Sequence, residues 1–401
     1  MVLFAIATLS PFVLIGLAAG FGGGWGWLAL GYITLLVFVL DRLSAAPRRA
    51  ADPAAEFPAA NALLITLGLA HFALLGTALW AVAGASGLTA VERGLVALSA
   101  ALVFGQISHP VAHELIHRAQ RNRRRLGRLI YSSILCGHHA SAHLRVHHVH
   151  VGSKTDPNSA RRGEGFYRFA WRAWTGGFLA GLRAENRLRR GKPGPVWRHP
   201  YALYIGGALA MIAGAAVLAG WAGVAALCFM ALYAQSQILL SDYVQHYGLR
   251  RGVLADDTLE PVGPQHSWNS PHWYSSAMTL NAPRHSDHHV TPSRPYPALR
   301  LSPETMPCLP HSLPVMAVVA LVPPVWRRIM DPLCAHWQPR WDTPAPADSR
   351  SIPPAVLARA KAGGLAGPDL PHSPHETDPD NPLPDPRQPG LRPGPDERGG
   401  V

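Results

Sequence analysis

Charged residues are absent from several long apolar runs of the chain. The first run extends from Val2 to Leu40, and the glycine-rich residues 20–24 interrupt it with a turn signal. Further uncharged runs occupy residues 57–91, 94–112 and 201–241. A helix that crosses the hydrocarbon core of a bilayer needs about 20 predominantly apolar residues. The runs therefore predict membrane-spanning helices rather than the buried helices of a soluble protein.

The pattern predicts an all-α integral membrane protein with six transmembrane helices. The run 201–241 is long enough for two helices, with a break near Gly220. The predicted spans are about 2–20, 24–40, 60–85, 94–112, 201–219 and 221–241. We expect the connecting segments 113–200 and 242–342 to form a helical, histidine-rich domain on one side of the membrane.

The basic residues predict on which side of the membrane this histidine-rich domain lies. The connection after the second span contains Arg42, Arg48 and Arg49, and residues 118–198 contain 18 of the 36 Lys and Arg residues. Short loops that stay in the cytoplasm are rich in Lys and Arg. We therefore expect both termini and all histidine motifs on the cytoplasmic side of the inner (plasma) membrane.

The end of the chain has a different composition. Residues 343–401 contain 14 of the 38 prolines and few large apolar side chains, which predicts a disordered tail after a membrane domain of residues 1–342. The apolar stretch 315–325 is too short and too rich in proline to span a bilayer, so we expect it to pack at the interface or under the cytoplasmic domain.

Composition agrees with a membrane protein. The 401 residues are 48% hydrophobic and 15% charged, whereas soluble domains are about 25% charged. The formal net charge of +12 suits an anionic membrane surface or an acidic partner. Nucleic-acid binding is not expected, because no aromatic platform or nucleic-acid-binding motif accompanies the charge. The four cysteines are far apart, without a C-x-x-C pair, so neither a disulfide framework nor a fused rubredoxin-type iron centre is expected.

Histidine is the compositional outlier, with 21 residues. His113 and His117 continue the fourth predicted span, and their i, i+4 spacing places both imidazoles on one helix face, as a shared metal requires. Similar groups follow at other predicted membrane exits. The nine candidate ligands are His113, His117, His143, His147, His148, His246, His285, His288 and His289. Because one ion takes four to six ligands, nine imidazoles predict two metal ions, whose identity the residue types leave open.

Two other functions fit part of this pattern. H-E-x-x-H is also the zinc motif of metallopeptidases, in which Glu114 would be the general base, but this interpretation leaves seven histidines without a role. A metal transporter is disfavoured because the histidines lie at the predicted cytoplasmic ends of the helices and not across the bilayer midplane.

Several segments around these histidines resemble the membrane-bound alkane monooxygenases, which are related to the fatty acid desaturases and xylene monooxygenases. The resembling segments are HELIHR (113–118), HLRVHHVHVGSKTDPNSARRGE (143–164), SDYVQHYGLRR (241–251), HSWNS (266–270) and RHSDHH (284–289). A weaker likeness extends from the first spans to about Asp331. This chain has Ala142 and Val146 where the family usually has Glu and Gly.

The resemblance implies a monooxygenase in which the nine histidines hold two non-haem iron ions. The expected reaction is hydroxylation of the terminal methyl group of a medium- or long-chain n-alkane with O₂. Unactivated C–H bonds offer no acid, base or electrophile to side chains, so a metal-based oxidant is chemically coherent. Action on fatty acyl or alkyl aromatic substrates stays open.

Other residues are candidates for supporting roles. Carboxylates orient metal-bound imidazoles through their second ring nitrogen, although the same residues could be ordinary helix-end or surface carboxylates. The candidates are Glu114, Asp156, Asp242 and Asp287. The remaining histidines of the motif regions could also ligate or support the metals, namely His109, His138, His139, His150, His266 and His272. Trp25, Trp27 and Trp80 are candidates for narrowing an apolar substrate slot, with a role in an interfacial aromatic belt or in packing as the favoured alternative.

Electrons must come from a separate protein, because the chain has no cysteine centre and no G-x-G-x-x-G fingerprint. The resemblance implies a small acidic rubredoxin, served by a reductase. Arg121, Arg123, Arg124 and Arg125 are candidates for its docking surface, and an anchor on anionic lipid is the slightly favoured alternative.

Overall fold

The structure is a computed structural model that describes residues 1–43, 57–191, 194–254 and 257–338. Arg48, Arg49 and the proline-rich segment 343–401 lie outside the described residues. The disordered tail and the boundary that precedes it therefore stay predictions.

Within the described residues the fold is helical, and extended pairing is limited to two isolated bridges, Val253 with Leu259 and Asn269 with Cys308. This confirms the predicted fold class. The helices are α1 (Val2–Phe21), α2 (Gly24–Leu43), α3 (Pro58–Ala83), α4 (Ala90–Ile116), α5 (Arg121–Ser133), α6 (139–150), α7 (Phe166–Arg189), α8 (Pro200–His246), α9 (Trp273–Met278), α10 (His285–Val290), α11 (Leu313–Ala320) and α12 (Pro323–Trp337).

Five of the described helices are long and apolar enough to cross a membrane: α1, α2, α3, α4 and α8. Helix α8 has 47 residues, about twice the number that a helix needs to cross the hydrocarbon core once. Its helical dihedrals are interrupted at Ala219 and at Gly220, where φ is 59°. Glycine adopts that left-handed conformation without a Cβ clash. The break lies where the sequence predicts one, and the count of six spans stays a prediction.

Helix α4 is the centre of the membrane bundle. It is buried along most of its length and packs against α1, α2, α3 and α8. Thr89 caps its N-terminus, because the Thr89 hydroxyl accepts from the Glu92 N–H while the Glu92 carboxylate accepts from the Thr89 N–H. The other end of α4 carries His113, so packing in the apolar bundle fixes where that imidazole lies.

A second hydrophobic core lies beneath the connecting segments. It joins the last turns of α8 to α7, α11 and α12 through Tyr243, Trp268 and Trp326, all fully buried. The Tyr243 hydroxyl donates to the Glu164 carbonyl oxygen at 2.6 Å, and the Trp268 indole donates to the Tyr247 carbonyl oxygen at 2.8 Å. The apolar stretch 315–325 contributes to this region through α11, as expected for a segment that does not span.

One buried carboxylate ties the end of α2 to this domain. Asp41 Oδ1 accepts from the backbone N–H groups of Tyr274 and Ser275 at 3.0 and 3.1 Å. These are early N–H groups of α9, which have no partner within their own helix. The Trp273 indole also donates to the Leu40 carbonyl oxygen at 3.0 Å. Helix α9 is therefore held against a membrane helix at a defined position.

Close packing of α5 on the end of α4 depends on Gly127. A Cβ at this position would lie 2.8 Å from the Ala112 carbonyl oxygen and 3.0 Å from Leu115 Cβ. Ala112 directly precedes His113. The absence of a side chain at Gly127 thus allows α5 to support the histidine-bearing turn of α4.

We expect Gly127→Ala to destabilise the protein by about 1–3 kcal/mol, because the added methyl group forces α4 and α5 apart. Gly76→Ala on α3 is the matched control, since nothing lies within 4 Å of its Cβ position. The measurement is the thermal unfolding midpoint of both variants in detergent. Equal midpoints for Gly127→Ala and the wild-type protein would contradict the close-packing argument.

Candidate metal centre

Four helical segments bring the nine candidate histidines together. His113 and His117 come from the end of α4, His246 ends α8, and the remaining six lie on α6 and α10. The imidazoles form two groups, in each of which one ligand atom per residue lies within 4.8 Å of the others. Group 1 is His113, His117, His143, His148 and His288, and group 2 is His147, His246, His285 and His289.

Neighbouring Nε2 atoms in group 1 are close enough to share one ion. His143 Nε2 lies 2.8 Å from His113 Nε2 and 2.9 Å from His148 Nε2. Two nitrogens bound at right angles to one ion, each at about 2.1 Å, are about 3.0 Å apart. The observed separations therefore fit the spacing of adjacent metal ligands.

Group 2 has the same spacing. His285 Nε2 lies 2.9 Å from His246 Nε2 and 3.1 Å from His289 Nε2. The two groups adjoin each other, because the rings of His148 and His289 are 4.7 Å apart. The arrangement thus offers two neighbouring candidate metal sites, each lined by imidazole nitrogens.

Among the described residues, each group contains a buried Nε2 atom without a hydrogen-bond partner, His117 Nε2 in group 1 and His147 Nε2 in group 2. A buried polar atom without a partner costs about 1–3 kcal/mol. A metal ion in each group would satisfy these atoms. The unpartnered nitrogens and the all-imidazole donor sets fit a transition-metal ion in each group.

Burial also keeps the imidazoles in the form that binds metals. Burial lowers the pKa of His143, His148, His288 and His289 well below the usual value, and neighbouring histidines lower it further. For His285, burial lowers the pKa to about 3. A neutral imidazole has a free lone pair, so these side chains are ready to ligate at neutral pH.

The distribution of histidines between the groups differs from the simple i, i+4 pattern. His143 and His147 have that spacing, yet His143 lies in group 1 with His148, while His147 lies in group 2. The cause is a π-helical turn at His143–His147, where the backbone repeat is i to i+5. Residues five apart, such as His143 and His148, then face the same side.

Asp156 is the predicted carboxylate that contacts a candidate ligand. Asp156 Oδ2 lies 2.9 Å from His147 Nδ1, which leaves His147 Nε2 directed to group 2. Burial alone lowers the pKa of His147, but the Asp156 carboxylate raises it above its usual value. The Ser159 hydroxyl and the Asn158 backbone N–H also donate to Asp156, at 2.6 and 3.0 Å. Asp156 is therefore fixed on three sides and orients His147.

The other predicted carboxylates are hydrogen-bonded to residues outside the two groups. Glu114 pairs with Arg118 at 2.5 Å. Asp287 pairs with Arg294 and also accepts from the Arg300 backbone N–H at 2.8 Å. These two carboxylates are buried within ion pairs, and in the described residues neither is hydrogen-bonded to a histidine of either group.

Asp242 is connected to the His147–Asp156 pair indirectly, through Asn158. Its Oδ2 accepts from Asn158 Nδ2 at 2.6 Å, and the backbone of the same asparagine donates to Asp156. Asn158 therefore joins the His147–Asp156 pair to α8, one turn before His246. The sequence analysis did not single out Asn158, although it lies inside the resembling segment 143–164.

The supplementary histidines lie outside both groups. His109 Nδ1 contacts the Tyr131 hydroxyl at 3.0 Å, His266 Nε2 contacts Glu260 at 2.7 Å, and His272 Nδ1 contacts the Ser270 hydroxyl at 2.9 Å. His138 packs against Trp174, with ring centroids 5.1 Å apart, and the His139 ring stacks on that of His143 at 5.5 Å. His150 is half-buried at the end of α6.

The tryptophans proposed for a substrate slot face outward. Trp25, Trp27 and Trp80 are 39%, 61% and 50% exposed. Trp25 begins α2 and Trp80 lies near the end of α3, on the opposite side of the bundle from the histidines. Their exposure favours the alternative role in an interfacial aromatic belt.

The arginines of α5 divide into two kinds. Arg123 donates to Asn61 Oδ1 at 3.0 Å, and Arg124 donates to the carbonyl oxygens of Arg118 and Ala119. Arg121 and Arg125 are exposed. Two of the four predicted docking residues are thus engaged in holding the chain, and the docking role stays a prediction.

Fold and site together define a class of protein: an all-helical, membrane-embedded chain whose two imidazole groups suit a non-haem di-metal centre. The sequence profile of the fatty acid desaturase family matches residues 89–317. The chain belongs to this family and, within it, to the alkane monooxygenases, which makes it an oxidoreductase of the monooxygenase class.

Individual relatives agree with this assignment. The chain is 31% identical to alkane 1-monooxygenase 2 of Pseudomonas aeruginosa, over 79% of this chain and 86% of the relative. It is 29% identical to alkane 1-monooxygenase 2 of Alcanivorax borkumensis, over 82% of this chain and 87% of the relative. It is 28% identical to the hydroxylase component of a xylene/toluene monooxygenase of Pseudomonas putida, over 66% and 70%. These matches exclude the metallopeptidase interpretation of H-E-x-x-H.

We expect Asp156→Asn to lower metal affinity about 10–100-fold, because the amide no longer holds the His147 ring by a charge-assisted bond. The measurement is metal content per chain after dialysis against a graded series of chelator concentrations. Asp257→Asn makes the same chemical change at an exposed position and should retain the metal as the wild-type protein does. Equal retention by both variants would show that Asp156 does not orient a ligand.

Proposed function

We propose that this monooxygenase uses two iron ions, held by the nine histidines, to hydroxylate the terminal methyl group of medium- or long-chain n-alkanes. The observation that carries the proposal is the pair of adjoining imidazole groups, with Nε2 atoms 2.8–3.1 Å apart, at the ends of membrane helices. The activity for which the alkane 1-monooxygenase relatives are named supports the substrate class.

The reaction consumes two electrons and two protons: RH + O₂ + 2e⁻ + 2H⁺ gives ROH + H₂O. When bound, the iron ions supply the O₂ activation and C–H oxidation that no side chain can supply. This chain's residues position the metals, exclude water and admit the hydrocarbon. The burial of both histidine groups provides the dry surroundings that protect a reactive oxidant from side reactions.

A small cavity borders both groups and is suited to the end of an alkyl chain. His113 and His288 of group 1 and His285 of group 2 line one side of it. The rest of its lining is apolar surface from Pro110, Leu280, Ala282 and Leu299 and polar surface from Glu114 and Thr279. The proposed substrate pose places the end of an alkyl chain against this lining, where it gains free energy from leaving water or the headgroup region. A terminal position of attack follows from this end-on approach.

The electron source in this proposal is a rubredoxin-type protein with its reductase. The described residues contain only free cysteines, Cys136, Cys228, Cys308 and Cys334, and these are dispersed over the fold. Because each turnover consumes two electrons, a carrier of one electron must bind twice in each turnover. The positive-inside distribution of Lys and Arg supports a cytoplasmic location of the histidine groups in the inner membrane, where such carriers are found.

A related action on fatty acyl or alkyl aromatic substrates is the second candidate. The similarity to a xylene/toluene monooxygenase component supports it.

The experiment that separates the candidates uses protein in lipid nanodiscs with rubredoxin, its reductase and NADH. Octane, hexadecane, xylene and a long-chain fatty acid compete as substrates, and gas chromatography measures the products. A 1-alkanol as the main product supports the proposal, whereas exclusive oxidation of xylene or the fatty acid contradicts it.

We expect purified active protein to contain two iron ions per chain and His246→Ala to lose turnover together with iron. The reason is that His246 supplies one of only four imidazoles in group 2. His375→Ala is the control, since this histidine lies in the proline-rich segment outside the described residues. Elemental analysis and alcohol production are measured on the same samples. Active protein with one zinc ion and no iron would refute the di-iron centre.

A further inference from the structure

Two exposed valines adjoin the histidine groups. Val149 directly follows His148, and Val290 directly follows His289. The valine side chains are 56% and 47% exposed. Since the rings of His148 and His289 lie 4.7 Å apart, both valines flank the region where group 1 meets group 2. An exposed apolar residue therefore lies one peptide unit from a candidate ligand of each metal.

Val149 and Val290 give short covalent connections from the exposed surface to both groups. Seven of the nine candidate ligands are buried, and His148 is one of the two that are half-buried. Electron transfer between proteins slows steeply with distance and is favoured by covalent bonds over gaps. A carrier that contacts Val149 and Val290 would thus be close to both metals at once.

Exposed cationic side chains lie close to Val149 along the chain. Arg145 is exposed one turn before Val149, and Lys154 is exposed in the loop that follows α6. Arg251 Nη1 donates to the Val149 carbonyl oxygen at 3.3 Å, which also holds the loop in place. The carboxylate of Asp287 on α10 is neutralised by its ion pair with Arg294. Glu260 lies beside Arg251 and pairs with His266 at 2.7 Å, and the exposed cations Arg145 and Lys154 can attract an acidic partner.

We propose that Val149, Val290, Arg145 and Lys154, here named the valine patch, form the docking surface for an acidic one-electron carrier. A small apolar contact with complementary charges around it is typical of brief encounters between redox partners. The proposal rests on the rubredoxin-type donor proposed above and adds where that donor binds. In each encounter the carrier is oxidised by one electron and the metal centre is reduced by one, so two encounters supply one turnover.

The exposed arginines of α5 are the competing location. Arg121 and Arg125 carry charge, but each is separated from the nearest candidate ligand, His117, by several residues. Arginines near a membrane also bind anionic headgroups. The valine patch is favoured because it combines exposed apolar surface, positive charge and direct adjacency to ligands of both groups.

The test introduces a carboxylate into the patch, with Val149→Glu and Val290→Glu made singly and together. Because both positions are exposed, the substitutions should not disturb packing. We expect the double variant to bind rubredoxin at least 10-fold more weakly by biolayer interferometry and to show a donor KM raised by at least the same factor. Reduction by dithionite-generated methyl viologen, which needs no docking surface, and iron content should be unchanged.

Val91→Glu is the matched control. Val91 is 61% exposed at the opposite end of α4, so the same substitution there should leave rubredoxin binding at the wild-type level. Arg121→Gln combined with Arg125→Gln tests the α5 location. Wild-type binding by the double valine variant, or weakened binding in the α5 variant alone, would overturn the valine patch.

The same measurements separate this inference from the proposed function. If rubredoxin reduces the wild-type protein and the valine variants equally well, the donor stands and the docking surface is refuted. If methyl viologen reduces the wild-type protein but rubredoxin does not, the proposed donor is refuted and the docking surface with it. Weakened binding in the valine variants, with normal reduction by viologen, supports both.

Discussion

The structure depends on the cost of burying imidazole nitrogens. Nine histidines from the ends of α4 and α8 and from the short helices α6 and α10 lie in contact, and burial disfavours the charged form of an imidazole. As neutral groups they still leave nitrogens such as His117 Nε2 and His147 Nε2 without partners in the described fold. A metal ion in each group removes this cost by accepting the lone pairs. The metal is therefore expected to contribute to the stability of the domain as well as to its chemistry.

Such a site needs ligands fixed from several directions, and the membrane helices supply them. Packing of α4 in the bundle positions His113, and the end of α8 positions His246. The remaining ligands lie on short helices that have little stability by themselves. Contacts such as Asp41 with the start of α9, and Asn158 with Asp242, connect the short elements to the long ones. A few buried polar contacts to the apolar bundle thus fix the positions of the ligands.

The sequence allowed prediction of the helical class, the break at Gly220 and the histidines that come together, because each leaves a local signal. Long uncharged runs indicate spans, a glycine permits a left-handed backbone, and clustered histidines indicate metal chemistry. The division of the histidines between groups had no such signal. It depends on the π-helical turn at His143–His147, which forms through packing and not through residue preference.

The residues that pair with the buried carboxylates could not be predicted from the sequence either. Asp156, Glu114 and Asp287 all lie near histidines in sequence, but only tertiary contacts decide that Asp156 meets His147 while the other two meet arginines. The choice has a physical logic. A carboxylate buried beside an arginine is neutralised in place, whereas one beside a neutral imidazole must be stabilised by other donors, as Ser159 and Asn158 do for Asp156.

An enzyme of this kind must satisfy two opposed requirements. A reactive oxidant requires a dry site, which the burial of both histidine groups provides, but electrons must still enter from a soluble carrier. Complete burial would lengthen the electron path, and an open site would admit water. At Val149 and Val290 the chain presents apolar side chains to solvent while the adjacent imidazoles point inward. In the docking mode proposed above, a carrier that contacts these valines lies within a few covalent bonds of the ligands while most of the imidazoles stay buried.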